Sequence, residues 1–451
     1  MIFEETLIKK YQKGLPRYTS YPTANRFNKS FKHKIQKIEL EKILKYKSIS
    51  LYIHIPFCNT LCLFCSCNKI ITNKRDKIDV YLDYIEKELK IYQQIWGEKV
   101  LLDNIHFGGG SPSWMTVGQL KRMMLILDDF FILNSDINIA MEIDPRRVEF
   151  EFIETLVNHR FNRFSFGVQD VNNKVQKIIN RVQPIEQTTK VIGWARDFGI
   201  DSINIDLIYG LPLQTVESYK YTINTVINDI KPSRIALYNY AHLPNIFNAQ
   251  KKLDGLLPSG DEKLKILNMC VNELTKAGYI YIGMDHFALP QDELTTALTN
   301  KTLKRNFQGY SVENQENIIA IGVSGISSTP SSYWQNLKTI EEYYHSLDQG
   351  ILPLNIGYSL SNEDILRKDI IHTLMGSFFL EFEQFNNKYQ INFTELFSKE
   401  LNQLKSLEID GLLKIDNDKI EISILGRFLI RNIVAVFDQY LDEEKRFSSS
   451  I

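Results

Sequence analysis

Residues 51–70 read LYIHIPFCNTLCLFCSCNKI: an apolar, β-branched run that stops at Pro56, then a loop carrying Cys58, Cys62, Cys65 and Cys67. Four of the five cysteines of a 451-residue chain thus fall within ten positions. Disulfides explain this poorly. The remaining cysteine, Cys270, leaves an odd count, and crowded cysteines in a reducing compartment serve metal binding or redox chemistry. The spacing is C-x3-C-x2-C-x-C. A structural zinc takes ligands from two separated knuckles, and the sequence offers no second cysteine pair. Iron–sulfur ligation by closely spaced loop thiolates fits better. If Cys58, Cys62 and Cys65 hold three irons of a cubane, the fourth iron stays open to a chelating amino acid. If Cys67 also ligates, the cluster is closed and the protein is an electron carrier. Spacing alone leaves both open.

The strand before that loop begins a rhythm. Between residues 48 and 240, strand-like runs (SISLYIHI, NIHFGGG, INIAMEI, NRFSFGVQ, SINIDLIYG, SRIALYNY) alternate with helical ones. Ile78, Leu82, Ile85, Leu89, Tyr92 and Trp96 form one helical stripe. Six strand–helix units with short connections predict a parallel sheet covered by helices and curling as a partial (β/α)6 barrel. Beyond 260 the rhythm changes. GDEKLKILNMCVNELTKAG reads as a helix with Cys270 on its apolar face, a core cysteine. From about 360 the chain reads as mostly helical, with a hairpin around Asp416–Asp418 that gives a winged-helix-like module. The expected domains are an N-terminal arm over 1–35, a catalytic domain over 36–350 and a helical domain over 351–451.

Composition narrows the function classes. The chain is 44% hydrophobic and 24% charged, with a net charge of −1. That balance gives no general case for nucleic acid or an acidic membrane. No apolar run reaches the ~18 residues of a membrane span, and the first residues, MIFEETLIKK, lack the apolar core of a secretory signal. A reducing cytoplasm is the expected compartment.

Parallel barrels gather their chemistry at the carboxyl ends of the strands. Those ends carry Tyr52 and His54, then the glycines of GGGSP (108–112), Glu142, Gln169, Asp206, and Asn239 with Ala241. Singly, each such residue is as well explained as a helix cap or a loop partner. Together they converge on one rim. Glu142 and Asp206 suit ribose hydroxyls, and Gln169 and Arg181 suit carboxylate or adenosine groups. The glycines let a backbone approach a ligand closely.

On these residues the chain resembles the radical S-adenosylmethionine (SAM) superfamily. Finer motifs are similar to the oxygen-independent coproporphyrinogen III oxidases: PRYTSYPTA, the cysteine loop with its extra Cys67, FGGGSP, EIDPR, FNRFSFGVQD, INRVQ, NIDLIYGLP, YNYAHLP, IGMDHFALP, RNFQGY and LIRNI. The resemblance implies a 4Fe–4S cluster on Cys58, Cys62 and Cys65, and two SAM molecules. Tyr52, Gly109, Glu142 and Ile326 would contact the cluster-bound SAM. Phe64, Gly110, Ser111, Gln169, Arg181, Asp206 and Ala241 would contact the second. Cys67 would matter for activity without ligating iron, and with His54 it forms the expected catalytic pair. The implied reaction is oxidative decarboxylation of two propionates of coproporphyrinogen III to vinyls, giving protoporphyrinogen IX in haem biosynthesis. A reduced flavodoxin- or ferredoxin-type donor, no nucleic-acid or membrane partner, and a monomer are expected with it. Arg17 and Arg305 are candidate propionate clamps, and the arm around Tyr18 and Tyr21 is a candidate cover for the macrocycle or packs on the barrel. Ser66 and Ser111 replace the family's usual glycine and threonine. A haem-binding chaperone and a haem-opening radical SAM methyltransferase are the alternatives; the Cys67 and PRYTSYPTA features speak against the first.

Overall fold

The computed structural model describes residues 4–307, 309–312 and 317–441. They fall into two compact units, each discontinuous in sequence. One draws on Phe27–Ser259 and Gln315–Ser359, the other on Met1–Arg26, Gly260–Asn314 and Leu360–Ile451. The continuous boundaries expected near residues 35 and 350 do not coincide with these breaks.

The first unit is built on six parallel strands in the expected order. They are β1 (Ile49–Ile55), β2 (Val100–Gly109), β3 (Phe131–Ile143), β4 (Arg163–Gln169), β5 (Ile203–Tyr209) and β6 (Arg234–Asn239), each pairing with the next. The connections carry α1 (Asp76–Trp96), α2 (Val117–Phe130), α3 (Phe150–Asn158), α4 (Ile185–Asp197) and α5 (Val216–Thr225). Register aligns the strand ends, pairing His54 with Gly108, Glu142 with Ser165, Gly167 with Asp206 and Tyr209 with Asn239. In β4 and β5 the buried side chains Phe164, Phe166, Val168, Ile203, Ile205 and Leu207 alternate with half-buried Ser165, Gln169, Asn204 and Asp206. One face is therefore sealed and the other is left for polar groups. A sheet covered on both faces would read as continuous apolar runs instead.

The sheet is wider than six strands. β7 (Ile318–Ile321) pairs parallel with β1 on its other side, and β8 (Ile326–Ser328), β9 (Ser332–Asn336) and β10 (Leu354–Ser359) extend it antiparallel. These strands escape sequence pattern because β7 is short and sits in a glycine-rich stretch.

In the second unit the two distant ends of the chain share one core. Leu15, Tyr18 and Tyr21 pack with Ile282, Ile370, Phe393 and Ile433. The helix Gly260–Lys276 buries Cys270 completely, as expected of a core cysteine. The hairpin of Leu413–Ile415 and Lys419–Ile422 forms as the sequence suggests, and Phe379–Glu381 adds a third antiparallel strand. Among the described residues, no helix is long and apolar enough to cross a membrane.

Candidate active site

The cysteine loop leaves β1 through Pro56 and is clasped at its base. Phe57–Cys58 pairs with Ile70–Ile71, and Thr72 N–H donates to the Cys58 carbonyl at 2.9 Å. Its middle is anchored by apolar contact and by backbone bonds. Leu63 and Phe64 pack on Val175, Ile179, Leu211, Tyr240 and Leu253. Leu63 N–H donates to Ile179 O at 3.0 Å, and Asn180 Nδ2 and Gln250 Nε2 donate to the carbonyls of Leu61 and Phe64. Lys69 Nζ donates to the Cys65 and Cys67 carbonyls. The loop therefore presents its thiols from a fixed backbone. Ser66, exposed here, is not among the residues with positive φ, so a side chain in place of the usual glycine costs no backbone strain.

Cys62 is buried, Cys58 and Cys65 are half-buried, and Cys67 is exposed. Burial, followed by the neighbouring Cys65 and Cys62, pushes the Cys58 thiol up to about 12. The S–H of Cys67 donates to Cys65, which lowers the Cys65 thiol to about 6 against its burial, and the same bond raises Cys67. Cys58 is thus unfavourable as a bare thiolate and suited to a cation that neutralises it. Among the described residues no three His, Cys, Asp or Glu side chains converge to share one ion. A cubane places a different demand, one thiolate on each iron it anchors.

Around the loop, each glycine of GGGSP is fitted closely against its neighbours. A Cβ on Gly108 would lie 2.9 Å from Glu142 Oε1 and 3.0 Å from Tyr52. At Gly109, with φ +115°, it would lie 2.6 Å from the His54 ring. At Gly110 it would reach the Pro56 carbonyl and stand 3.1 Å from Cys58 Sγ. Gly109 N–H donates to Glu142 Oε2 at 3.2 Å, and His106 Nε2 lies 3.4 Å from Oε1. His54 Nε2 stands 3.0 Å from the Asn68 carbonyl, which only accepts, so Nε2 carries the proton. Burial lowers the His54 pKa and keeps it neutral. Its Nδ1 then accepts from the Tyr52 hydroxyl at 3.2 Å. These contacts make His54 a positioning residue that ties β1 to the far end of the cysteine loop.

The other rim residues lie at or near the ends of neighbouring strands. Gln169 sits at φ +68° where the β4–β5 register shifts, a conformation held by its surroundings. Asp206 accepts from Ser165 Oγ at 3.1 Å and Asn204 Nδ2 at 2.9 Å; burial, then the charge of Glu142, raises it to about 6. Arg181 Nη2 donates to Gly167 O at 2.6 Å, while its buried Nε has no partner. The buried Asn239 Oδ1 also has none. Two orphaned polar atoms on one rim fit a ligand with both donors and acceptors. Ser111 Oγ lies 3.4 Å from Ser113 Oγ, Ala241 is exposed beyond β6, and Ile326 opens β8.

Sequence reasoning missed Asp144 and Arg146 as site residues, although both stand in the quoted EIDPR. Asp144 accepts from Arg146 Nη2 at 2.6 Å and Arg181 Nη1 at 3.3 Å. Although burial opposes it, the Arg181 and Arg146 guanidiniums lower this carboxyl to about 2.

A second polar cluster lies within the other unit. Arg17 Nη2 meets Asp285 at 2.6 Å, Arg305 Nη1 donates to the Arg17 carbonyl at 3.0 Å, and Arg431 Nε donates to Pro16 O at 2.9 Å. Burial, then the charge of Arg17, lowers Arg431 to about 9. PRYTSYPTA, IGMDHFALP and RNFQGY thus meet in one cationic group. Tyr18 and Tyr21 are 1% and 0% exposed, and Tyr18 donates to Asp438 Oδ2 at 3.0 Å. They are core residues; the possibility that they cover a macrocycle is corrected by that burial.

The radical SAM superfamily pattern matches residues 52–226. The oxygen-independent coproporphyrinogen III oxidase of Salmonella typhimurium is 42% identical over 98% of this chain and 96% of its own length. That of Helicobacter pylori is 40% identical over 98% of both chains. The solved coproporphyrinogen III oxidase of Escherichia coli, described as a radical SAM enzyme, superposes with a TM-score of 0.92 at 40% identity, covering 97% of this chain and 99% of that one. Full-length similarity at this level, over a sheet rim and cysteine loop of this geometry, places the chain in the oxygen-independent coproporphyrinogen III oxidase family of radical SAM enzymes.

Proposed function

We propose that this chain converts two propionate side chains of coproporphyrinogen III to vinyl groups, yielding protoporphyrinogen IX and two molecules of carbon dioxide. Each conversion removes one hydrogen atom from the propionate β-carbon, one carbon dioxide and one further electron. The observation that carries the proposal is the clasped loop of Cys58, Cys62 and Cys65, with Arg181 Nη1 3.6 Å from Cys62 Sγ, on a sheet whose strand ends carry Glu142 and Asp206. A 4Fe–4S cluster and SAM, when bound, would supply hydrogen-atom abstraction through one-electron cleavage of the sulfonium.

The chain's own residues bind and orient. Cys58, Cys62 and Cys65 hold the cluster, and Tyr52, Gly109, Glu142 and Ile326 hold the SAM attached to it. We assign a second SAM to Phe64, Gly110, Ser111, Gln169, Arg181, Asp206 and Ala241. His54 fixes the loop through Asn68. The exposed Cys67 keeps its proton, donates to Cys65 and serves the reaction without ligating iron. Arg17, Arg305 and Arg431 provide cationic anchors for a tetracarboxylate. The catalytic work is assigned to residues 36–350, alongside an N-terminal arm over 1–35 and a mostly helical domain over 351–451. We further propose a cytoplasmic monomer that takes electrons from a reduced flavodoxin- or ferredoxin-type donor and has no nucleic-acid or membrane partner.

The test is anaerobic incubation of the reconstituted protein with SAM, reductant and coproporphyrinogen III, followed by mass spectrometry. Loss of two carbon dioxide units per porphyrinogen is expected. Tight haem binding without turnover would replace this reading with a haem-transfer protein, and a methylated linear tetrapyrrole with a methyltransferase.

A further inference from the structure

Two guanidinium groups are aimed at one cysteine sulfur. Arg146 Nη2 lies 3.8 Å and Arg181 Nη1 3.6 Å from Cys62 Sγ, the distances expected when a large sulfur accepts from N–H. Both arginines are held in place from behind. Asp144 takes Arg146 Nε at 2.9 Å and Nη2 at 2.6 Å, and Arg181 Nη1 at 3.3 Å. Asp144 also accepts from the Arg146 backbone N–H, and Gln187 Nε2 donates to the Arg146 carbonyl at 2.7 Å. The three side chains are 9–15% exposed. One carboxylate against two guanidiniums leaves a net positive charge beside Cys62, where water screens it weakly.

Only one of the two arginines has a role in cofactor contact. Arg181 has its unpartnered Nε for a ligand. Arg146 spends its fork on Asp144 and on the sulfur. Hydrogen bonds and positive charge at a thiolate ligand favour the more negative, reduced state of an iron–sulfur cluster and raise its reduction potential.

We propose that Arg146 is a positioning residue that sets the reduction potential of the cluster, by donating to the Cys62 sulfur from a guanidinium locked by Asp144. This rests on the assignment of Cys62 as a cluster ligand. It acts on how easily the cluster accepts an electron, before any substrate is bound.

The test is an EPR-monitored redox titration of the full-length, reconstituted protein without SAM, with iron content measured on the same samples. Arg146→Gln is expected to retain wild-type iron while its reduction equilibrium falls about tenfold, about 60 mV more negative for a one-electron couple. Arg146→Lys keeps the charge but loses the fork, and a smaller negative shift is expected. An unchanged potential in Arg146→Gln at full iron content overturns the proposal. If that variant fails to load iron, Arg146→Lys decides: a lowered potential supports the proposal and a wild-type one overturns it. Failure of both to load also overturns it, because the residue is then needed for assembly. A wild-type protein that loads no iron sinks the cluster assignment itself, and this inference with it.

Discussion

Gly110 has its Cα facing the Pro56 carbonyl, so an added Cβ would sit 2.5 Å from that oxygen and 3.1 Å from Cys58 Sγ. The carbonyl belongs to the clasp, since it accepts from Ile70 N–H at 2.7 Å, and cannot swing aside as a side chain would. Gly110→Ala should therefore displace the first cluster cysteine, and the purified variant should hold less than about half the wild-type iron. Cys67 tests the opposite case. Its S–H donates to Cys65 and it stands exposed at the end of the loop. Cys67→Ser keeps a donor there but removes the thiol. Iron content should stay at the wild-type level while vinyl product is lost; a loss of iron would make Cys67 a ligand and close the cluster.

At the scale of elements, α1 carries Glu88, which is fully buried. It accepts from Gly322 N–H at 2.8 Å, Asn336 Nδ2 at 2.8 Å and Tyr343 Oη at 2.6 Å, and so joins α1 to β9 and to residues after β7. Glu88→Ala would strand these donors and should lower stability by about 3–5 kcal/mol, read in denaturant melts. Burial, outweighing those hydrogen bonds, raises Glu88 from 4.5 to about 7. A raised pKa means that this contribution is full below about 4.5 and is lost as pH rises through about 7. Melting temperature should fall over that window in the wild type and fall less in Glu88→Gln. The six parallel strands were legible because each is a short apolar run closed by a turn signal, and the rim residues because polar groups interrupt those runs at one end. β7 to β10 were not legible, since local pattern does not show that residues 318–359 return to the free side of β1. Asp144 and Arg146 were overlooked for a related reason: their function is mutual, and a pairing with Cys62, 84 positions from Arg146, has no local signature.

For the whole molecule, the two compact units carry different chemistry. The unit holding β1 to β10 owns the thiols, the acids and the orphaned rim atoms; the other owns Arg17, Arg305 and Arg431 against Asp285. If the first makes the oxidant and the second anchors carboxylates, the two functions should separate by mutation. Arg17→Ala removes a half-exposed cation that meets Asp285. The expected result is a KM for coproporphyrinogen III raised about tenfold, a loss of about 1.4 kcal/mol of binding. Reductive cleavage of SAM in the absence of substrate should be unchanged, as measured by deoxyadenosine release. Glu142→Gln, on the rim, should do the reverse and weaken SAM cleavage first. An Arg17→Ala protein with unaltered KM would return Arg17 to a plain ion-pair role, and one with impaired SAM cleavage would show that the division of labour between the units is wrong.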